Sequence, residues 1–215
     1  MTVSVPETIN EITLEQFLKF DKANKGDDTE FLMHKLINIF CGVSMRDTLN
    51  ISLHDAEAIA EDVTELLSQD SPFQKTFEYN GKRWGFIPNL ENISLGEFVD
   101  LDEYLKDTQN IHKAMSVLYR PITKEYKELY SIEKYKGHRE YSEELKGMPL
   151  GVATAATLFF YRLGKELVIH SKGYFSQLTK KLNKTTQQKV NLHQNTDGLT
   201  VYINSLKEMS QSLAK

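Results

Sequence analysis

Six histidines, His34, His54, His112, His138, His170 and His193, are the side chains of this sequence best suited to proton transfer or metal ligation near neutral pH. A zinc site would need two of them a helical turn apart, or cysteine companions. Neither pattern occurs, because the one cysteine, Cys41, stands alone inside the apolar run LINIFCGV. Cys41 reads as a small buried hydrophobe whose neighbours disfavour a thiolate. His138-Arg139-Glu140 has the outline of the kinase catalytic tripeptide, but Glu replaces the required Asp and no glycine-rich loop precedes it. The stretch Asp21 to Asp28 invites a calcium-loop reading. Counted from Asp21, however, its third, fifth and twelfth positions are Ala23, Lys25 and Leu32. Asp100 and Asp102 come nearest to paired catalytic carboxylates. Two residues apart on a helix, they point to different sides and suit the positive end of the helix dipole instead. Arg120, held before Pro121, is a structural ion-pair candidate. The sequence nominates no catalytic, cofactor-binding or metal-ligating residue, and the expectation is a non-enzymatic protein without a cofactor.

The elements that carry these groups are easier to read. Ile12-Thr13-Leu14-Glu15-Gln16-Phe17 and Ile93-Ser94-Leu95-Gly96-Glu97-Phe98 are each a capping box set inside a hydrophobic staple. Ser52 with Asp55 is a weaker third start. Helices are therefore predicted from Thr13 to Lys22, Glu30 to Cys41, Ser52 to Ser68 and Leu95 to Lys106, with another from Asn110 to Tyr119 stopped by Pro121. Within Ser52 to Ser68, Ala56, Ile59, Val63, Leu66 and Leu67 share one face.

Asn80-Gly81 marks a two-residue hairpin of the type I′ class. It pairs Tyr79 with Lys82, Glu78 with Arg83 and Phe77 with Trp84. Phe77, Tyr79, Trp84 and Phe86 then share one face, and a Glu78–Arg83 ion pair is expected on the other. The only tryptophan reads as the anchor of that face on the helices. Residues 123–147 carry six positive and six negative charges with Tyr126, Tyr130, Tyr135 and Tyr141 interspersed. They read as an exposed excursion of helix and turn, with the tyrosines as candidate partner-binding residues.

Met148-Pro149 opens a helix that is apolar on all sides and suited to the centre of the core. It turns basic from Arg162. The expected organisation is a mainly helical core domain over 1–184 with its hairpin at about 75–87, a linker over 185–198 and an amphipathic helix over 199–215. In that last segment Leu199, Tyr202, Leu206, Met209 and Leu213 follow an a/d spacing across two heptads, too short for a free coiled coil and suited to docking on a partner or on its own domain. The fold class is mainly α (α+β): a helical bundle with one β-hairpin packed on it and a carboxy-terminal docking helix.

The whole chain of 215 residues is 40% hydrophobic and 26% charged, with a net charge of −4, which is the composition of a soluble globular protein. Charge is unevenly spread. Residues 1–70 hold fourteen Asp and Glu against five Lys and Arg, whereas residues 162–190 hold seven Lys and Arg against Glu166. A basic stretch with Tyr174 and Phe175 is one way to hold nucleic acid, through Lys165, Lys172, Lys180, Lys181, Lys184 and Lys189. A solvated helix face, or docking on an acidic protein surface, is the more ordinary use. The longest apolar run, Leu150 to Tyr161, is about half of what a bilayer requires. With no leader pattern at the start and one cysteine, a reducing, intracellular setting without a membrane is expected.

The run KRWGFIPNLENISLGEFVDLDEY, then HKAMSVLYRPI, then MPLGVATAATLFFYRL resembles a group of proteins encoded among the structural genes of tailed bacteriophages. Members are described as tail-assembly chaperones or as virion components. The resemblance implies a virion-assembly protein of the tail or head–tail junction, acting without catalysis by binding other phage structural or tail proteins, and self-association is compatible with it. It further implies residence in the host cytoplasm during assembly. The basic carboxy-terminal third departs from a plain chaperone and keeps open a structural component retained in the virion. The nucleic-acid reading of residues 162–190 is the second alternative.

Overall fold

The computed structural model describes residues 2–24, 29–90, 93–127 and 129–162. Helix α1 (Leu14–Ala23) starts as its sequence dictates. Thr13 Oγ1 accepts from the Gln16 N–H at 3.2 Å and Gln16 Oε1 accepts from the Thr13 N–H at 2.9 Å, while Ile12 and Phe17 are both buried. Helix α2 (Thr29–Phe40) lays Leu36, Ile37 and Phe40 on it, with the Phe20 and Phe40 rings 5.3 Å apart. A single turn, α3 (Met45–Thr48), capped by Ser44, leads to α4 (Leu53–Ser68), capped by Ser52. Ala56, Ile59, Val63 and Leu66 of α4 are buried, in the register their spacing predicts, and Leu67 is half-buried at the edge of the core.

Four antiparallel strands follow one another across a sheet ordered β1 (Thr76–Tyr79), β2 (Lys82–Phe86), β3 (Tyr119–Tyr126) and β4 (Leu129–Ile132). The β1–β2 register is the one expected, and the turn between them has φ 51° at Asn80 and 68° at Gly81, the left-handed pair that type I′ needs. The α+β class holds. Two details differ from expectation. The hairpin is half of a four-stranded sheet, and residues 119–126 and 129–132 are strand, where the sequence reading placed a helix end followed by an excursion of helix and turn. Pro121 does end the preceding helix, but it also biases Arg120 toward extended backbone, and the open edge of β2 captures the segment. On the β2 side the bond from Ile87 N–H to Leu118 O sets the alternation, so position 121 falls where no N–H is directed at β2. The second difference concerns Arg83. It pairs with Glu125 Oε2 at 2.6 Å, across to β3, where a pairing with Glu78 was expected.

The aromatic face forms as predicted and β3 adds to it. Phe77 stacks at 6.3 Å from Trp84, and Tyr119 meets Phe77 and Phe86 edge-on at 5.1 and 5.3 Å. Trp84 is fully buried, and its indole N–H donates to Tyr79 O at 3.1 Å. Burial of each large apolar side chain in this layer stabilises the fold by about 1.5–3 kcal/mol.

Helix α5 (Leu95–Tyr104), a 3₁₀ turn at Thr108–Asn110 and α6 (Ile111–Leu118) connect the two halves of the sheet. A last helix, α7, runs through residues 150–162 and buries Leu150, Val152, Ala153, Ala155, Ala156 and Thr157. The starts of α1 and α7 complete one another. Leu14 N–H donates to Met148 O at 2.9 Å and Leu150 N–H donates to Ile12 O at 2.8 Å, so each helix's first orphan donor is met by the residue before the other helix's cap. The basic continuation from residue 163, the linker at 185–198 and the segment 199–215 lie outside the described residues.

Candidate protein-interaction surface

Tyr119 to Pro121 of β3 pair with β2, and from Ile122 onward β3 pairs with β4, with a register shift between Ile122 and Lys124. The result is a two-stranded arm with pairing of its own, held against β2 by the Tyr130 hydroxyl on Phe86 O and by the Arg83–Glu125 ion pair. At its tip Tyr126 and Leu129 face one another across the strands and are 70% and 76% exposed. Glu133 N–H donates to Pro121 O at 3.0 Å, so alternation along β4 directs the N–H and C=O groups of Tyr130 and Ile132 away from β3. Those groups form the free edge of the sheet, the kind of edge onto which another chain can add a strand. Lys124, Tyr126, Leu129 and Ser131 line a shallow concavity beside it.

The four tyrosines nominated for partner binding separate into two groups. Tyr126 stands in solvent at the arm's tip, with the Lys127 ammonium 5.4 Å from its ring centre. The other three turn inward. Tyr130 crosses the sheet to donate to Phe86 O at 2.8 Å, and its ring lies where a Cβ on Gly85 would come within 2.6 Å of it. Tyr135 donates to Asp100 Oδ2, and Tyr141 donates to Glu133 Oε2 at 2.6 Å while meeting Trp84 edge-on at 5.2 Å. Burial, and for Tyr135 and Tyr141 the carboxylates they bind, push all three phenols above the ordinary tyrosine value. Leu199, Tyr202, Leu206, Met209 and Leu213 lie outside the described residues.

The inward tyrosines border a buried polar cluster that the sequence named only in part. Arg120 Nη2 sits 2.6 Å from Glu97 Oε1, with the side chains 7% and 9% exposed. The other Glu97 oxygen closes the capping box on Ser94, accepting from its N–H at 2.8 Å and its hydroxyl at 2.6 Å. Burial works against the charge of Glu97, but the Ser94 bonds and Arg120 outweigh it and hold the carboxyl below its usual range. The Arg120 guanidinium also lies 5.6 Å from the centre of the Tyr135 ring, and its Nε is left without a hydrogen-bond partner. Beside it the Tyr104 hydroxyl and His138 Nδ1 are 2.7 Å apart. A carboxylate held ionised against a fixed guanidinium is an electrostatic lock joining α5 to β3, poorly suited to passing protons. Ser94-x-x-Glu97 was legible as a cap; that Arg120 would be its second partner was not, because their meeting depends on how β3 enters the sheet.

No family model, no curated protein and no solved structure matches this chain.

Of the remaining histidines among the described residues, His54 is exposed on α4, while His34 and His112 make contacts within the fold. His34 Nδ1 is 3.0 Å from Thr48 Oγ1, linking α2 to α3. His112, buried on α6, has Nε2 3.8 Å from Glu143 Oε1 and a Nδ1 without a partner. Burial, with the Lys146 ammonium nearby, lowers its pKa to about 4. Cys41 is half-buried, and burial pushes its thiol up, as its apolar neighbours predict. Among the described residues no helix is long and apolar enough to cross a membrane.

Proposed function

We propose that this protein works by binding other proteins, as a non-catalytic morphogenesis factor of a tailed bacteriophage that engages tail or head–tail structural proteins in the manner of an assembly chaperone. The observation that carries the binding half of this reading is the β3–β4 arm. An isolated two-stranded ribbon is marginal in water, and this one presents a large apolar pair at its tip and an unpaired backbone edge along its length. The groups that a catalytic reading would need are engaged elsewhere: Glu97 with Arg120 and Ser94, Asp100 with Tyr135, His138 with Tyr104. The phage half rests on the resemblance of KRWGFIPNLENISLGEFVDLDEY and the two runs that follow it. In mechanism, the arm covers an assembly-competent strand or apolar segment of a structural protein until the next component displaces it.

The test is reciprocal co-purification of the tagged chain with tail and portal proteins, using the parent and the double variant Tyr126→Ala/Leu129→Ala. Capture of a structural protein by the parent and its loss in the variant support the proposal. A parent that stays a lone monomer in an infected-cell lysate overturns it.

A further inference from the structure

The outward face of the β3–β4 arm and the exposed side of α4 carry complementary side chains. Along the arm, Lys124, Tyr126, Leu129 and Ser131 share one face, because Lys124 pairs with Ser131 and Tyr126 with Leu129. Glu125 and Tyr130 take the other face, where Arg83 and Phe86 O engage them. The outward face thus presents two large exposed apolar side chains beside two exposed cations, Lys124 and Lys127, the second with its ammonium 5.4 Å from the Tyr126 ring centre. Past the end of β4, the Glu133 carboxylate is taken by the Tyr141 hydroxyl. Glu128, in the turn, lies outside the described residues.

Helix α4 has the opposite charge around a similar apolar pair. Leu49, just before it, and Leu53, its first residue, are 70% and 65% exposed. Glu57, Glu61 and Glu65 follow Leu53 at spacings of four, all exposed, and with Asp62 they make no ion pair among the described residues. Between Arg46 and Lys75 the sequence holds seven Asp and Glu and neither Lys nor Arg. Of these only Asp47 and Asp55 are engaged, by the caps Ser44 and Ser52. Four residues of helix advance about 6 Å, and two residues of strand about 6.7 Å. Glu57 therefore stands about as far from Leu53 as Lys124 does from Tyr126. An acidic face by itself suits any cation. This one continues into an apolar pair, and its match in sign, order and spacing is present on every copy of the chain.

We propose that the outward face of the arm docks on α4 of a second copy, with Tyr126 and Leu129 against Leu53 and Leu49, and Lys124 and Lys127 against Glu57 and Glu61. The two faces belong to different parts of the chain, so the contact is head-to-tail. Each pair keeps one face of either kind free to extend a ring or a filament. This makes α4 a second contact surface and rests on the arm being a contact surface, not on its phage partner. A structural protein that takes the arm releases it from the neighbouring copy. Two apolar side chains and two charges on each side make a small interface, under about 1,200 Å², of the weak and reversible class. Its attraction is screened by salt.

The experiment is sedimentation of the full chain over a wide range of concentration, in low and in high salt, with two variants and their mixture. Glu57→Lys/Glu61→Lys removes the α4 half and leaves the arm intact, whereas Tyr126→Ala/Leu129→Ala removes the arm half and leaves α4 intact. All four positions are exposed, and both variants keep the circular dichroism of the parent. The expected result is a parent whose mass rises with concentration in low salt and returns to one copy in high salt, while each variant alone stays at one copy. Mixed in equal amounts, the variants form a species of two copies and nothing larger, because one working arm then meets one working α4. A parent that stays at one copy in low salt overturns the proposal. So does a mixture that stays at one copy, or an α4 variant that associates as the parent does, which assigns the contact to arm against arm. The α4 variant keeps its arm and still captures tail proteins in the co-purification, so the two proposals fail separately.

Discussion

Arg120 and Glu97 form an ion pair of 2.6 Å with both side chains almost wholly out of solvent, and the same Glu97 closes the capping box that starts α5. One carboxylate thus serves a local motif and a long-range one. Its first partner lies three residues away. Its second comes from a strand that begins after α6 has ended, so the pair can form only once α5, α6 and β3 are all in place.

Breaking this pair from one side is predicted to be severe. Arg120→Met leaves the Glu97 charge buried with only its Ser94 bonds, and a loss of about 3–5 kcal/mol is expected in urea unfolding. Glu97→Gln keeps an acceptor for the cap but strands the guanidinium, with a loss of similar size. The double variant is expected to be clearly more stable than the sum of the two losses allows. Strict additivity would show that the two groups do not sense each other.

Gly85 is predicted to tolerate no side chain while Tyr130 is present. A Cβ there would lie 2.6 and 2.9 Å from the Tyr130 ring and 3.0 Å from Ile122. Gly85→Ala should cost about 1–3 kcal/mol and weaken the bond from the Tyr130 hydroxyl to Phe86 O. Adding Tyr130→Ala should recover part of that cost, since it removes the obstruction. Thermal unfolding of the three variants decides the matter.

Acid sensitivity should begin well above the carboxylate range. His112 titrates near 6.5 when unfolded and is lowered to about 4 in the fold, where burial is joined by Lys146 and Lys113 and opposed by Glu143. The unfolded chain therefore binds the proton first as pH falls. The contribution is fully present above pH 6.5 and is lost progressively between pH 6.5 and 4, up to about 3 kcal/mol. Glu97 acts in the opposite sense of shift and a lower window: its depressed carboxyl stabilises the fold above its ordinary value of 4.5 and loses that effect only as pH drops further. His112→Gln is expected to flatten the stability profile between pH 6.5 and 4 and leave the decline below 4.5. An unaltered slope in that variant would exclude His112 as its source.

The tip of the arm should be dispensable for stability. Tyr126 and Leu129 are exposed and pack against nothing in the core cluster, so Tyr126→Ala/Leu129→Ala should change unfolding free energy by no more than about 0.5 kcal/mol. A large drop in melting temperature would mean that the tip supports the sheet, and loss of partner capture would then have a trivial cause.

How far the fold was legible varies with the distance over which each element is decided. The caps at Thr13, Ser52 and Ser94, the buried face of α4 and the Asn80-Gly81 hairpin with its register were all readable, because each is settled within a few residues. The strands β3 and β4 were not. Their sequence, YRPITKEY followed by LYSI, is charged and tyrosine-rich, and its extended state depends on the edge that β2 offers. For the same reason Arg83 was matched to its neighbour Glu78, when a third strand brought Glu125 into reach.

The candidate surface divides along the same line. That Tyr126, Tyr130, Tyr135 and Tyr141 belong near a surface followed from their charged setting. Which of them faces outward was set by the partners Phe86, Asp100 and Glu133, none of which a local pattern points to. Short-range hydrogen bonding, turn stereochemistry and apolar periodicity are properties of the chain itself, and by itself the amino-acid order determined where helices begin, where the first hairpin turns and which faces are apolar. Tertiary structure alone decided that Glu97 goes inside while Leu95, Phe98 and Val99 stay out, because burial of a carboxylate becomes tolerable only when a guanidinium from a distant strand arrives to meet it.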